Sequence, residues 1–251
     1  MNLHYQYYWF KEVIPHDMCD KIIQMGNKKI EQIKKNGHDA SGTTRGNGEK
    51  TKNKGKISAK ELTPKEQLES EDEYYARDCE VAWFNDQWLY DLVWPYLEEA
   101  NKESGWNWDI EWAEGFQFTK YTKDGLYNWH NDGGSDHYGK YLKDNKDLPN
   151  PCTDDPTFEG RVRKISMTMN LTDPKEYDGG KLKFDLSKTH DSGIDIMEIE
   201  EINRKGSIVF FPSFMSHTIT PITRGTRYSL VLWVLGPVSY THLTLPTTVS
   251  V

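Results

Sequence analysis

Near the middle of the chain lies the stretch Tyr127-Asn128-Trp129-His130-Asn131-Asp132-Gly133-Gly134. His130 and Asp132 are two residues apart, and in a β-strand this spacing directs both side chains to one face of the sheet. A third ligand from a distant strand would complete a site of two histidines and one carboxylate. Three protein ligands on one side of an octahedral Fe(II) leave the opposite positions open for a co-substrate and O2.

Three downstream residues are candidates to complete this site. His217 follows the apolar run 207–212, which predicts a separate buried strand. Arg227 and Ser229 lie two positions apart in an apolar strand pattern, so both side chains can face the interior of one barrel. A buried arginine is costly unless it is paired. A dicarboxylate co-substrate would supply that pairing through a bidentate contact, and an internal Arg–Asp salt bridge is the alternative.

Composition limits the class of protein. The chain has 251 residues, a net charge of −8 and a pI near 5.5, which argues against broad binding to nucleic acid. The three cysteines are widely spaced and form no CxxC pair, as expected for reduced thiols in a cytoplasmic protein. No apolar run approaches the roughly 18 residues of a membrane span, and the N-terminus lacks a signal-peptide pattern.

The hydrophobic rhythm changes from helical to strand-like near Trp106. Apolar residues recur at helical spacing over 17–36 and 86–103. Alternating patterns then predict strands over 109–121, 126–132, 162–172, 180–186, 196–202, 206–212, 216–222 and 226–234. Many short strands after a helical start predict a mainly β protein with flanking helices. Its core is expected to be a jelly roll, or double-stranded β-helix, preceded by an N-terminal helical part.

These patterns divide the chain into three regions. Residues 1–105 are expected to form a helical support region with a mobile loop near 38–57, and 106–237 the jelly-roll domain. The polar interval 133–160 is either a lid or substrate-recognition segment beside the site, or a disordered insertion. Residues 238–251 match a translated sequencing adapter. We expect this tail to be non-native and the chain to be of metagenomic or viral origin.

Taken together, the ordered motifs of the chain resemble those of the Fe(II)/2-oxoglutarate-dependent dioxygenase superfamily. The similarity is closest to the prolyl-4-hydroxylase-like branch, which includes PKHD-type hydroxylases, and covers roughly 110–237. The motifs that carry it are Gln117-Phe118-x-x-Tyr121, Trp129-His130-x-Asp132, Arg163-Lys164-Ile165-Ser166, Asp178-Gly179-Gly180-x-Leu182, Phe211-Pro212-Ser213-Phe214 and Gly225-Thr226-Arg227-Tyr228-Ser229-Leu230-Val231.

The resemblance implies a role for each motif residue. His130, Asp132 and His217 would bind Fe(II), and no other catalytic residue is implied. The distal carboxylate of 2-oxoglutarate would be bound by Arg227 with help from Ser229. Tyr121 resembles the family tyrosine that hydrogen-bonds the co-substrate, and the alternative is that its ring belongs to the core. Pocket-lining positions are also expected at Thr168 and Asn170.

The resemblance also implies the reaction. O2 and 2-oxoglutarate would be converted to succinate and CO2 while an unactivated C–H bond is hydroxylated, with ascorbate as a candidate reductant. The expected substrate is a prolyl or other amino-acid side chain of a peptide or protein, and a small molecule remains an alternative. Two other classes fit part of the pattern. One is a jelly-roll metal protein such as a Zn hydrolase or a cupin-type isomerase, and the other is a non-catalytic viral jelly-roll binding module.

Overall fold

The computed structural model describes residues 5–42, 44–45, 63, 75–133, 161–186 and 195–237. The helices of this part are α1 (His16–Lys35) and α2 (Gln87–Glu103), and a 3-10 helix spans Glu200–Asn203. The strands are β1 (Tyr8–Phe10), β2 (Thr44–Arg45), β3 (Tyr75–Asp78), β4 (Glu80–Phe84), β5 (Trp112–Ala113), β6 (Phe116–Tyr121), β7 (Leu126–His130), β8 (Arg161–Asn170), β9 (Tyr177–Gly179), β10 (Leu182–Asp185), β11 (Ile196–Glu198), β12 (Ile208–Pro212), β13 (His217–Ile219), β14 (Ile222–Gly225) and β15 (Arg227–Pro237).

The strands form two main antiparallel sheets. The larger sheet has the order β1-β12-β8-β15-β6-β4, with β5 paired to the far end of β15. The smaller sheet has the order β11-β10-β13-β7-β3-β2, and β9 pairs with β14 in a separate ribbon. From β6 onward the chain crosses repeatedly between the sheets, with β6, β8, β12 and β15 in the larger and β7, β10, β11 and β13 in the smaller, consistent with the jelly roll predicted from the sequence.

Each face of the larger sheet covers a different layer. In β6, Phe116 and Phe118 belong to a buried cluster that α1 and α2 cover, whereas Gln117, Thr119 and Tyr121 point to the opposite side, between the sheets. This alternation follows from the two-residue period of a strand. Helix α1 packs very close to the sheet because Gly26 lies against the ring of Phe118.

The second apolar cluster fills part of the space between the two sheets. It contains Leu182, Phe184 and Ile219 from the smaller sheet and Val209 and Phe211 from the larger one. Three of these side chains, Leu182, Phe211 and Ile219, also line a cavity between the sheets, which is described below.

Several predicted segments differ in detail from the structure. The predicted strand 196–202 is wrong after residue 198, because residues 200–203 turn into the 3-10 helix. The predicted strand 126–132 ends at His130, and 216–222 ends at Ile219. The 109–121 pattern is divided into β5 and β6. The N-terminal region is not only helical, since β1, β3 and β4 join the two sheets.

Other expectations lie outside the described residues. These include most of the loop near 38–57, the interval 134–160 and the tail 238–251. In the part of the chain that the structure describes, neither helix has the length and apolar character needed to cross a bilayer.

Candidate active site

A cavity of about 450 Å³, which includes space open to solvent, lies between the two sheets. Its apolar wall includes Met167, Leu182, Phe211, Ile219, Val231 and Trp233. The polar and charged residues that line it include Arg77, Gln117, Tyr121, His130, Asp132, Thr168, His217, Arg227 and Ser229.

His130, Asp132 and His217 meet at this cavity. Residue His217 on β13 pairs directly with His130 at the end of β7, and Asp132 lies just beyond that strand. One potential ligand atom from each residue lies within 4.8 Å of the other two. The Nε2 atoms of His130 and His217 are 3.8 and 3.5 Å from the two Asp132 carboxylate oxygens. The sequence prediction of a three-residue cluster is thus matched by the positions of the side chains.

Backbone carbonyls fix the orientation of both imidazoles. The Nδ1 of His130 lies 2.7 Å from the Asn128 carbonyl oxygen, and the Nδ1 of His217 lies 2.9 Å from that of Met215. A carbonyl can only accept, so each Nδ1 carries a proton, and each Nε2 is directed toward the Asp132 carboxylate. The Nε2–carboxylate distances exceed those of normal hydrogen bonds. Three potential metal-ligating groups therefore face one point, an arrangement that a cation between them would stabilise.

Charge state supports the same conclusion. Burial, reinforced by the nearby His217, lowers the pKa of His130 well below its ordinary value, so this ring is neutral near pH 7. Burial alone would raise the pKa of Asp132. Interactions with His217, His130, Arg163 and Ser166 outweigh that effect and keep its pKa below the ordinary value. The cluster thus offers two imidazoles, of which that of His130 is neutral, and one carboxylate, the donor set of many divalent transition-metal sites.

Arg163 on β8 holds the segment that carries Asp132. Its Nη1 donates to the Asp132 carbonyl oxygen at 3.0 Å, while Nε and Nη2 donate to the Glu114 carboxylate at 2.5 and 2.7 Å. The guanidinium carbon also lies 4.2 Å from the centre of the Trp233 ring. A planar guanidinium suits this combination of fork and ring contacts. Asp132 is therefore fixed through its backbone by the opposite sheet.

Arg227 is the most deeply buried cation of the cavity. Its side chain is 1 % exposed, and its Nη2 has no hydrogen-bond partner among the described residues. The predicted alternative, an Arg–Asp salt bridge, is not found within that part of the chain. The nearby Ser229 and Tyr121 are also buried and line the same cavity. Burial raises the pKa of Tyr121, so its phenol is protonated and available as a donor. An anion in the cavity would satisfy Arg227.

Other sequence predictions have mixed outcomes. Thr168 lines the cavity as expected. Asn170 does not contribute to the described lining, because its Nδ2 donates to the carbonyl oxygens of Thr172 and Asn203, both at 2.9 Å. Sequence reasoning missed Arg77 and Tyr127. The ring of Tyr127 stacks on that of His130, with the ring centres 3.4 Å apart. Tyr127 lies three positions before His130, and this spacing in a strand gave no indication of the contact.

Comparisons with known proteins agree with this geometry. A family model described as the 2OG-Fe(II) oxygenase superfamily matches residues 116–235. A PKHD-type hydroxylase of Nitrosomonas europaea is 34% identical over 104 residues, which cover 41% of this chain and 39% of that protein. The chain spans about 28% to 39% of the length of the first curated relatives that it matches. The family description specifies Fe(II) and 2-oxoglutarate, which an oxygenase uses together with O2.

Solved structures support the jelly-roll fold. The viral collagen prolyl hydroxylase of Paramecium Bursaria Chlorella virus-1 superimposes with a TM-score of 0.53 at 15% identity, over 92% of this chain and 97% of that one. A Pseudomonas putida prolyl-4-hydroxylase gives a TM-score of 0.50 at 16% identity, over 91% of both chains. The family match over 116–235 and this shared fold therefore make the chain similar to proteins of the 2OG-Fe(II) oxygenase superfamily.

Proposed function

We propose that the protein is an Fe(II)- and 2-oxoglutarate-dependent hydroxylase. It would act on an unactivated C–H bond of a prolyl or other amino-acid side chain in a peptide or protein. The observation that carries this proposal is the coexistence, in one cavity, of the convergent His130–Asp132–His217 cluster and the buried guanidinium of Arg227, whose Nη2 has no hydrogen-bond partner among the described residues. A zinc hydrolase or cupin-type isomerase needs the first feature but not the second.

His130, Asp132 and His217 are the proposed iron ligands. Their donor atoms have no hydrogen on the side that faces the cluster, and the carbonyl contacts at Nδ1 keep both rings in place before metal binds. Asp132 is negatively charged because its pKa is lowered. These three side chains would hold the metal beside the cavity, where other ligands could reach it.

Arg227, Ser229 and Tyr121 are the proposed co-substrate residues. The fork of Arg227 matches the two oxygens of a carboxylate, and pairing would remove the cost of its unpartnered Nη2. A serine hydroxyl and a protonated phenol add neutral donors on the same wall. A dicarboxylate that chelates the metal at one end would meet these residues at the other end.

The protein's contribution to the reaction is positioning and exclusion of water. When bound, the iron supplies the redox chemistry by which 2-oxoglutarate, O2 and a C–H compound become succinate, CO2 and the hydroxylated product. Met167, Leu182, Phe211 and Ile219 keep the surrounding wall apolar. Tyr127 stacks on His130 and holds that ring against rotation. The relatives named above are hydroxylases, and this resemblance is what favours an amino-acid side chain as substrate.

The test is an anaerobic titration of the Fe(II)-loaded protein with 2-oxoglutarate, followed by the visible absorption band of a metal-chelated keto acid. Metal content is measured in parallel. We expect one iron per chain and a saturable band in the wild type, and loss of the metal in Asp132→Ala. Arg227→Met should retain iron and lower the 2-oxoglutarate affinity by roughly 10- to 100-fold, the cost of a lost charge-assisted pair.

Arg224→Met is the matched control. Arg224 lies three positions before Arg227. It is exposed, pairs with Asp178 and does not line the cavity. It should bind both iron and 2-oxoglutarate like the wild type. Retention of iron in Asp132→Ala, or unchanged co-substrate affinity in Arg227→Met, would contradict the assigned site.

A further inference from the structure

A second arginine, Arg77, extends into the cavity from the opposite sheet. Arg77 lies on β3 of the smaller sheet, next to β7. Its Nη2 donates to the Oε1 of Gln117 on β6 of the larger sheet and lies 3.5 Å from the Thr119 hydroxyl oxygen. The guanidinium carbon lies 4.8 Å from the centre of the Tyr127 ring, which also stacks on His130. Arg77 is thus one aromatic ring away from the metal cluster.

The charge of Arg77 has only neutral partners among the described residues. Its side chain interacts with the Gln117 amide, the Thr119 hydroxyl, the Tyr127 ring and the Cys79 thiol. Its Nε is buried without a hydrogen-bond partner in that part of the chain. A buried guanidinium normally has a carboxylate or phosphate partner because desolvation of an unpaired charge is costly.

A count of formal charges leads to the same expectation. Arg77 and Arg227 together with a divalent metal contribute four positive charges to the cavity. Asp132 and the two carboxylates of 2-oxoglutarate contribute three negative charges. Among the described lining residues, one positive charge would remain after the metal and co-substrate were bound, and Arg77 would carry it.

We propose that Arg77 forms a second anion subsite, separate from that of Arg227, and that it binds a carboxylate of the substrate. This inference rests on the proposed function and narrows its substrate class to carboxylate-bearing molecules. The guanidinium presents Nε and the remaining Nη hydrogens in a planar fork, which matches a carboxylate better than a neutral amide. The carboxylate belongs either to a free amino acid or to the terminus of a peptide.

The experiment measures binding rather than turnover. Protein loaded with redox-inert Zn(II) and saturated with 2-oxoglutarate is titrated calorimetrically with acetate and with acetamide, which have similar size and differ in charge. We expect acetate to bind to the wild type at least about tenfold more tightly than acetamide. Arg77→Gln should abolish this preference, and Arg77→Lys should retain part of it because the charge remains.

Two controls keep the outcome specific. Arg224→Gln removes an exposed, paired arginine and should leave the acetate preference unchanged. Thermal unfolding shows whether Arg77→Gln is folded. If it is not, the Lys variant and the wild-type comparison of acetate with acetamide decide the result. Equal binding of the two probes by the wild type, or a preference for acetate that survives in folded Arg77→Gln, would overturn the proposal.

A third comparison identifies the source of the carboxylate. N-acetyl-L-proline and a longer peptide that ends in the same residue present one carboxylate on a small and on a large ligand. Tighter binding of the peptide would assign the subsite to a peptide terminus, and tighter binding of the small acid would assign it to a free acid. The initial 2-oxoglutarate loading separates the hypotheses. If loading fails, the proposed function fails; if loading succeeds without acetate binding, only the Arg77 subsite fails.

Discussion

The two imidazoles of the cluster receive their orientation from the main chain. In each case the Nδ1 hydrogen goes to the carbonyl two residues earlier, in Asn128 for His130 and in Met215 for His217. This arrangement fixes the tautomer of each ring without the help of another titratable side chain. The metal-free cluster therefore holds two imidazoles and a carboxylate close together. The stability of the folded protein should depend on the protonation of these groups.

We predict that the metal-free protein loses stability as the pH falls from about 7 to about 5. The folded pKa of His130 lies below its unfolded value, so the unfolded chain binds more protons in this interval and unfolding becomes easier. The lowered pKa of Asp132 adds a further loss at more acidic pH, below about 4. Urea unfolding at a series of pH values measures this slope. His130→Gln should reduce it, and an identical slope in this variant would contradict the assignment.

A glycine is required beside the proposed co-substrate arginine. Gly180 has φ +61°, and a Cβ there would lie 2.8 Å from Cδ of Arg227 and 2.5 Å from Cδ1 of Ile222. We predict that Gly180→Ala displaces the Arg227 side chain and lowers 2-oxoglutarate affinity about tenfold while iron binding is retained. The titration described above measures both quantities.

Gly206→Ala is the control for this substitution. Gly206 also has a positive φ, and its Cβ would clash with the Ile14 carbonyl oxygen, but it does not line the cavity. It should destabilise the fold by about 1–3 kcal/mol with no effect on co-substrate affinity. If both variants reduced affinity equally, the effect would come from general destabilisation.

The candidate metal residues were predictable because their chemistry is local. His130 and Asp132 form a short motif, while His217 and Arg227 each follow or begin a strongly apolar strand. Arg77 gave no such indication. Its position in the cavity depends on the pairing of β3 with β7, and a single arginine in a short strand pattern reveals nothing about which sheet it will join.

At the scale of elements, β8 connects the two sheets through Arg163 and its contacts, which are called the Arg163 clamp below. Its Arg163 contacts the Asp132 carbonyl, the Glu114 carboxylate and the Trp233 ring at once. Lysine cannot form these contacts together because its ammonium is a point charge on a flexible stem.

We predict that Arg163→Lys lowers metal affinity by about 10- to 100-fold without loss of the fold, as for other residues that orient metal ligands. Calorimetric titration with Zn(II) or Fe(II) measures this change. Arg161→Lys, on the same strand and paired with the partly exposed Glu111, is the matched control and should leave metal affinity unchanged. Equal affinity in Arg163→Lys and Arg161→Lys would show that the Arg163 clamp does not position Asp132.

The elements with long alternating patterns were the easiest to predict. The ends of β8 and β12 lie within about two residues of the ends predicted from the sequence. β15 begins within one residue of its predicted start and continues past its predicted end at residue 234 to Pro237. The ribbon of β9 and β14 was missed. Each of its strands is short and contains a glycine with positive φ, Gly179 or Gly225, so it lacks a local strand pattern and exists through pairing with the other.

At the scale of the whole molecule, N-terminal strands complete both sheets. β4 pairs with β6, β3 pairs with β7, and β1 pairs with β12. Without these strands, the edges of the jelly roll would present unpaired backbone groups. The N-terminal region is therefore a structural part of the site-bearing fold as well as its support.

We predict that a fragment of residues 106–237 aggregates and shows no cooperative unfolding, whereas residues 1–237 behave like the full chain. Loss of β1, β3 and β4 would expose strand edges, and loss of both helices would expose the apolar face of the larger sheet that they cover. Size-exclusion chromatography and thermal unfolding measure the outcome. A monomeric, cooperatively unfolding 106–237 fragment would show that the jelly roll is independent, and a lower melting temperature for 1–237 would give the tail 238–251 a structural role.

The direct pairing of His130 with His217 also has a kinetic consequence. These residues face each other across neighbouring strands although almost 90 positions separate them in the chain. Loop closure over such a distance is entropically expensive and is completed only as β13 docks on β7. A chain emerging during synthesis therefore holds His130 and Asp132 long before it can offer the third donor. Tight capture of the proposed metal would therefore be a late event that requires the finished topology, because an incomplete chain lacks the third ligand.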